Sequence, residues 1–321
     1  MRAQASTSPA ASCVINFRYH IVSLMAVFLA LAVGIVLGVT LRPSVDEGLA
    51  QQAAQDRKQV QDLRAEIDRR NALDEYRDAY AARAGQALTA GLLTGSRVAV
   101  VTMPDAPSEV ISSISTAVTD AGGIITGTVK VNQNAFDPTK ISDLTEALSP
   151  YAAPLGLNDS MTDSTKFGVA LGRAIASKQT GSRDQLAIAI GESLASAGLI
   201  TIDGDAEESA ELILVVAAEA SEPPPEAELL TAHVEMDVAL RAAAGGLVLA
   251  GPNSAEIEGT DVLAARNESD AVDVLSTVDV ADLTSGVTTA VLAGKEQLLG
   301  RQGHYGAFSK ADAPMPNLPV R

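Results

Sequence analysis

Arg97-Val98-Ala99-Val100-Val101, running on through Thr102-Met103 to Pro104, is a short, continuous apolar run closed by a proline. Such a run reads as a strand buried on both faces. Downstream, Val110, Ile114, Val118 and Ala121 recur at helical spacing, and Gly122-Gly123 closes the stripe. Ile124 to Val131 is then a second strand. Strand, helix and strand make a βαβ unit, which predicts a parallel sheet with helices on its faces. The pattern recurs at Leu212–Val216 (strand), 226–243 (helix) and Leu247–Ala250 (strand, ending in Gly251-Pro252). Val272–Leu275 is read as a further strand and 282–298 as a helix, while 133–200 is mainly helical with a short strand at Ile200–Ile202. The acidic, Pro-rich stretch Glu219–Glu228 is a surface loop. The fold expected for 95–302 is therefore an α/β, Rossmann-like head, followed by an irregular tail over 303–321 that carries Pro314, Pro316 and Pro319.

Upstream of the head the composition changes twice. Residues 44–88 are rich in Gln, Asp, Arg, Glu and Ala, and Leu49, Ala53, Val60, Leu63 and Ile67 follow the 3-4 spacing of a heptad seam. Leu73, Tyr76, Tyr80 and Ala84 continue it after a phase shift. As one helix this stalk would extend roughly 65 Å. A parallel homodimeric coiled coil is the expectation, with an amphipathic helix lying on its own head as the other reading. Before the stalk, Ile21 to Leu41 holds 21 residues without a charge. At about 1.5 Å per residue that length matches a hydrocarbon core of about 30 Å. Ala30-Leu31-Ala32 has the look of a signal-peptidase site, yet Val33–Leu41 prolongs the apolar run beyond it, so an uncleaved anchor is expected. Arg2 and Arg18 precede the span, which places residues 1–20 in the cytoplasm and the bulk outside, in a single-pass protein of the cell membrane. Ala26, Ala30, Gly34 and Gly38 recur every fourth residue, a stripe of small residues suited to helix–helix packing in lipid.

Composition bounds the chemistry. The 321 residues carry a formal charge of −17, which argues against nucleic acid as a partner. Cys13 is the sole cysteine, so neither an internal disulfide nor a cysteine-based metal site can form. The turn after the first strand, Met103-Pro104-Asp105-Ala106-Pro107, lacks a glycine cradle for phosphate. No P-loop and no Gly-x-Ser-x-Gly elbow occurs. An enzyme is therefore not expected. His233 and Met236, at i and i+3, would share a helix face, and imidazole with thioether suits copper. Met236 reads equally as core, and His304 is a third weak candidate. Asp203-Gly204-Asp205 resembles a fragment of a calcium loop without its spaced glutamate and reads as an acidic turn.

Asn16-Phe17-Arg18-Tyr19-His20, Val22-Ser23-Leu24 and the run Ala26–Gly34 closely resemble the mycobacterial MctB copper transport family. So do Ala121-Gly122-Gly123 with Thr126-Gly127-Thr128-Val129, Ser276-Thr277-Val278-Asp279, and Gly303-His304-Tyr305-Gly306. The resemblance implies an actinobacterial envelope protein of copper efflux and tolerance, with copper entering by likeness and not through a ligand cluster. It is also similar to SteB, which implies a dimeric adaptor for a membrane-bound partner in cell separation. The likeness begins near Val14, which marks Val14 as an alternative start to Met1.

Overall fold

The computed structural model describes residues 17–317 except 180, 205–206 and 253–257; the side chains of 17 and 41–50 also lie outside the description. Cys13, Val14, the charge at Arg2, the side chain of Leu49 and Asp205 therefore fall outside the described residues.

Two compact units are present, divided between Asp74 and Glu75. Helix α1 (Phe17–Thr89) starts in the first. Within it, Arg18–Thr40 forms a 23-residue segment of mean hydropathy 2.8, long and apolar enough to cross a membrane. Ala26, Ala30, Gly34 and Gly38 are exposed in the protomer, and space is open around both glycines. Val60, Leu63 and Ile67 are each about half exposed.

The second unit holds the sheet. Its elements are β1 (Arg97–Thr102), α2 (Ser108–Asp120), β2 (Ile124–Val131), α3 (Ile141–Leu148), α4 (Ala152–Leu155), α5 (Asp163–Ile175), α6 (Gln185–Ser196) and β3 (Ile200–Asp203). There follow β4 (Leu212–Val216), α7 (Ala227–Ala243), β5 (Gly246–Ala250), α8 (Asp261–Asn267), α9 (Ser269–Val272), β6 (Ser276–Val278), α10 (Thr284–Leu298) and β7 (His304–Tyr305). The strand order is β3-β2-β1-β4-β5-β6-β7, parallel throughout except for β3.

The period of two along each strand sorts the side chains into two cores. Ala99, Val101, Ile213, Val215, Leu247 and Leu249 face the helices α5 to α8, whereas Val98, Val100, Leu212, Leu214 and Val248 face α2 and α10. Helices thus cover both faces, which is why the strands are apolar without alternation. This open sheet has no lipid-facing side, so it is not a membrane barrel. Gly91 and Gly95, with φ of +72° and +79°, end α1 and turn the chain into β1.

Two expectations change. Val272–Leu275 is not a strand: α9 ends there, Leu275 is buried in the first core, and the strand is the polar Ser276-Thr277-Val278. The segment from Gly303, expected to be irregular, supplies β7 and runs beside β6. Buried polar anchors hold it. Arg266 on α8 meets Asp279 at 2.8 Å with both side chains essentially buried. The same guanidinium donates to Thr277 Oγ1 (2.8 Å), Tyr305 O (2.8 Å) and Ser309 O (3.0 Å). Asp279 also accepts from the backbone N–H of Ala307 and Phe308. Gly306 has φ +139°, and a Cβ there would lie 1.9 Å from Asp279 Oδ1.

Candidate functional site

The strand order reverses at β1. From β1 the chain passes through α2, on one face, to β2; from β4 it passes through α7, on the other face, to β5. Met103 N–H still bonds Val216 O at 2.9 Å, and beyond that point the two loops diverge. This is a topological switch point, where open α/β sheets form a crevice at the carboxyl ends of the strands. The crevice here has a volume of about 300 Å³.

Its floor and walls come from four places in the chain. The β1 loop supplies Pro104 and Asp105, the β2 loop supplies Gln133, Phe136 and Asp137, and the β4 loop supplies Glu219 and Pro225. The first two turns of α7 and the start of α8 add Leu229, Leu230, His233 and Asp261. Asp105 holds φ at +62°, a left-handed conformation that Asp tolerates better than most residues, and its carboxylate accepts from Gln133 Nε2 at 3.2 Å. Asp137 caps a 3-10 turn by accepting from the side chain and backbone N–H of Thr139, which holds its carboxyl below the usual range. No Lys or Arg lines the crevice among the described residues.

His233 is the buried centre of this wall. Only 8% exposed, it meets Asp261 through Nδ1 at 2.7 Å and packs against Phe136 with ring centroids 4.3 Å apart. With Nδ1–H donating to the carboxylate, Nε2 is left as an acceptor. Nε2 is buried and has no hydrogen-bond partner among the described residues. One turn along α7, Asp237 is 1% exposed and its Oδ1 is also unpartnered there. Burial, then the nearby charge of Asp261, pushes the Asp237 carboxyl well above its usual range. Buried polar atoms without partners cost about 1–3 kcal/mol each. The one on the crevice lining, His233 Nε2, points to a site; Asp237 is not among the lining residues.

Residues 14–316 match the family described as copper transport outer membrane protein, MctB. The chain belongs to the MctB family. The copper transporter MctB of Mycobacterium tuberculosis is 29% identical over 317 residues, spanning 91% of this chain and 96% of the relative. The Mycobacterium bovis protein gives the same figures, and that of Mycobacterium leprae is 29% identical over 308 residues, spanning 92% and 96%. MctB membership carries copper transport, at the level of the family, and it goes with the N-terminal apolar helix described above.

Within this MctB-family head, the three candidate ligands take separate places. His233 lines the crevice. Met236 is fully buried in the core between α5 and α7, where its backbone packs against Gly168. His304 lies in β7, with Nδ1 2.9 Å from Thr277 Oγ1 and its backbone N–H on Asp312; burial lowers its pKa. Among the described residues no three His, Cys, Asp or Glu side chains are grouped to hold a metal ion. The residues that sequence reasoning passed over are Asp105, Phe136, Asp237 and Asp261. A signal existed for one of them: Asp237 stands at i+4 from His233, so the two share a face of α7. Asp261 lies 28 residues from His233, and no local pattern links them.

Proposed function

We propose that this chain is a single-span, membrane-anchored copper-tolerance protein whose head works outside the cytoplasm, and whose anchor holds the head without conducting the ion. The observation that carries this reading is the composition of the span. From Ile21 to Leu41 it offers no ionisable side chain, and ion pathways through hydrocarbon are lined by such groups. The head is a closed three-layer α/β unit, with its strands buried on both faces and the crevice at one end of the sheet. A helical anchor suits a bilayer that accepts single helices, with the short N-terminal segment inside. Copper is thus cargo that the protein helps to handle, and the work lies in the head.

A second reading, a non-enzymatic dimeric adaptor of the kind the likeness to SteB implies, is favoured by the exposed apolar positions Val60, Leu63 and Ile67 of α1. One assay addresses both. In a strain lacking the protein, copper tolerance is measured after complementation with a chain whose residues 18–41 are replaced by an unrelated single span. Tolerance at the unmodified level is expected; its loss means that the span itself does the work. Complementation with Leu63→Asp tests the adaptor. Loss of cell separation with copper tolerance intact would put the second reading first.

A further inference from the structure

The crevice at the β1–β4 switch point has a chemical character that copper handling does not use. All four ionisable carboxylic residues on its lining, Asp105, Asp137, Glu219 and Asp261, are acceptors when charged, and no Lys or Arg is among the described lining residues, although Lys140, outside the lining, acts on Asp137. The one imidazole presents an acceptor too in the neutral tautomer whose proton sits on Nδ1, toward Asp261. Its Nδ1 is engaged by Asp261, and its Nε2 is a buried, unpartnered atom in a side chain nine-tenths enclosed. Between these groups the walls are apolar, from Phe136, Leu229, Leu230 and the prolines at 104 and 225. The volume of about 300 Å³ stands at the lower end of small-molecule pockets.

We propose that this crevice binds a small organic cation, an alkylammonium or guanidinium group on an apolar body, with His233 Nε2 and the surrounding carboxylates as its acceptors. A phosphate or carboxylate ligand would meet only like charges. A bare metal ion would find, among the described residues, no group of three ligating His, Cys, Asp or Glu side chains, and the apolar walls would have nothing to cover. A donor-rich head with a hydrophobic body meets both halves of the lining. The phenyl ring of Phe136, already against His233, offers a face to such a cation. The same chemistry is available from a free amine and from a lysine or arginine side chain of a peptide.

The full-length chain in neutral detergent is titrated calorimetrically at pH 7 with benzylamine and agmatine. Benzyl alcohol and benzoate serve as uncharged and anionic counterparts, zinc and copper(II) ions as bare metals, and an N-acetylated, C-amidated Gly-Lys-Gly as the peptide source. Saturable one-to-one binding of the amines is expected, with the alcohol and benzoate at least about tenfold weaker, the worth of a charge-assisted hydrogen bond. His233→Asn, whose amide nitrogen can keep the bond to Asp261 while Nε2 is removed, should weaken the amine by about the same factor. Asp105→Asn, which suits the left-handed backbone and lies on an exposed loop, should do so by severalfold and serves if the first variant fails to fold. Tighter binding of the peptide than of free amines supports the proposal and names a protein as the source; the reverse order supports it and names a small molecule. No amine binding, benzoate binding as tightly as benzylamine, or amine binding unchanged in both variants would overturn it. So would saturable metal binding that His233→Asn abolishes while amines do not compete. Copper tolerance is not read in this experiment, so its outcome stands apart from that of the complementation assay.

Discussion

The two ends of one sheet use the same kinds of side chain to opposite ends. Beside β6 and β7, the buried pair Arg266–Asp279 sits in a network where the guanidinium donates to Asp279, Thr277 and two backbone carbonyls, and Asp279 receives two backbone N–H groups besides. His304 there is bonded through Nδ1 to Thr277. At the β1–β4 crevice, the buried pair His233–Asp261 leaves His233 Nε2 without a partner among the described residues, and one turn along α7 the buried Asp237 leaves Oδ1 so. Burial of polar groups is common to both places, and satisfaction separates them. The satisfied cluster is a fastener for the last strand. The unsatisfied one is open to something else. A histidine in an apolar sequence is therefore no evidence of a site until its second nitrogen is accounted for.

The comparison breaks most easily at Arg266. Arg266→Met should strand Asp279 in the core and lower stability by about 3–5 kcal/mol, as loss of one partner of a buried pair does. Urea unfolding gives the number, and amide exchange at residues 304–308 should rise with it. A loss below about 1 kcal/mol would mean that the pair is not the fastener described here.

Asp237→Asn sharpens the other side, and its sign is the test. The folded-state pKa of Asp237 is raised by burial, so between the ordinary carboxylate range near pH 4 and that raised value the folded chain holds a proton that the unfolded chain has lost. Stability contributed by this group is complete below the unfolded value and declines as pH rises toward the folded one. The asparagine variant should lack that decline, so its thermal midpoint should gain on the parent between pH 4 and 8. A parallel pair of curves would remove Asp237 from the set of buried strained groups.

The smallest effect is expected of His233→Asn. It removes the unpartnered Nε2 and can keep the bond to Asp261 but gives up ring packing on Phe136, so stability should fall by no more than about 2 kcal/mol. A larger loss in urea would show Nε2 to be structural, and the two clusters would no longer differ in kind.

How much of this the sequence displayed depended on whether a segment is stabilised locally. β1, β4 and β5 are continuous apolar runs because helices cover both of their faces, and they stand out in the chain. β6 was missed because its residues are polar: Ser276 is satisfied by Gln297 and Gly303, and Thr277 by Arg266 and His304, all distant in sequence. The apolar Val274 and Leu275 before it drew the strand assignment three to four residues early. β7 was missed because two residues show no period. In the crevice, His233 was visible as an odd residue on a helix face, but its role depends on Asp261 and Phe136, which only the fold brings near.

The fastener at β7 also sets a timetable. Arg266 is made before any of its acceptors, and the carbonyls of Tyr305 and Ser309 follow it by 39 and 43 residues. Until that stretch has been made, the guanidinium at the sheet's growing edge has Asp279 and Thr277 but lacks its last two carbonyl acceptors. Six strands can therefore be in place before this network is complete. The seventh strand completes it, and a chain cut short of residue 305 would leave the buried guanidinium two acceptors short however well its first core had packed.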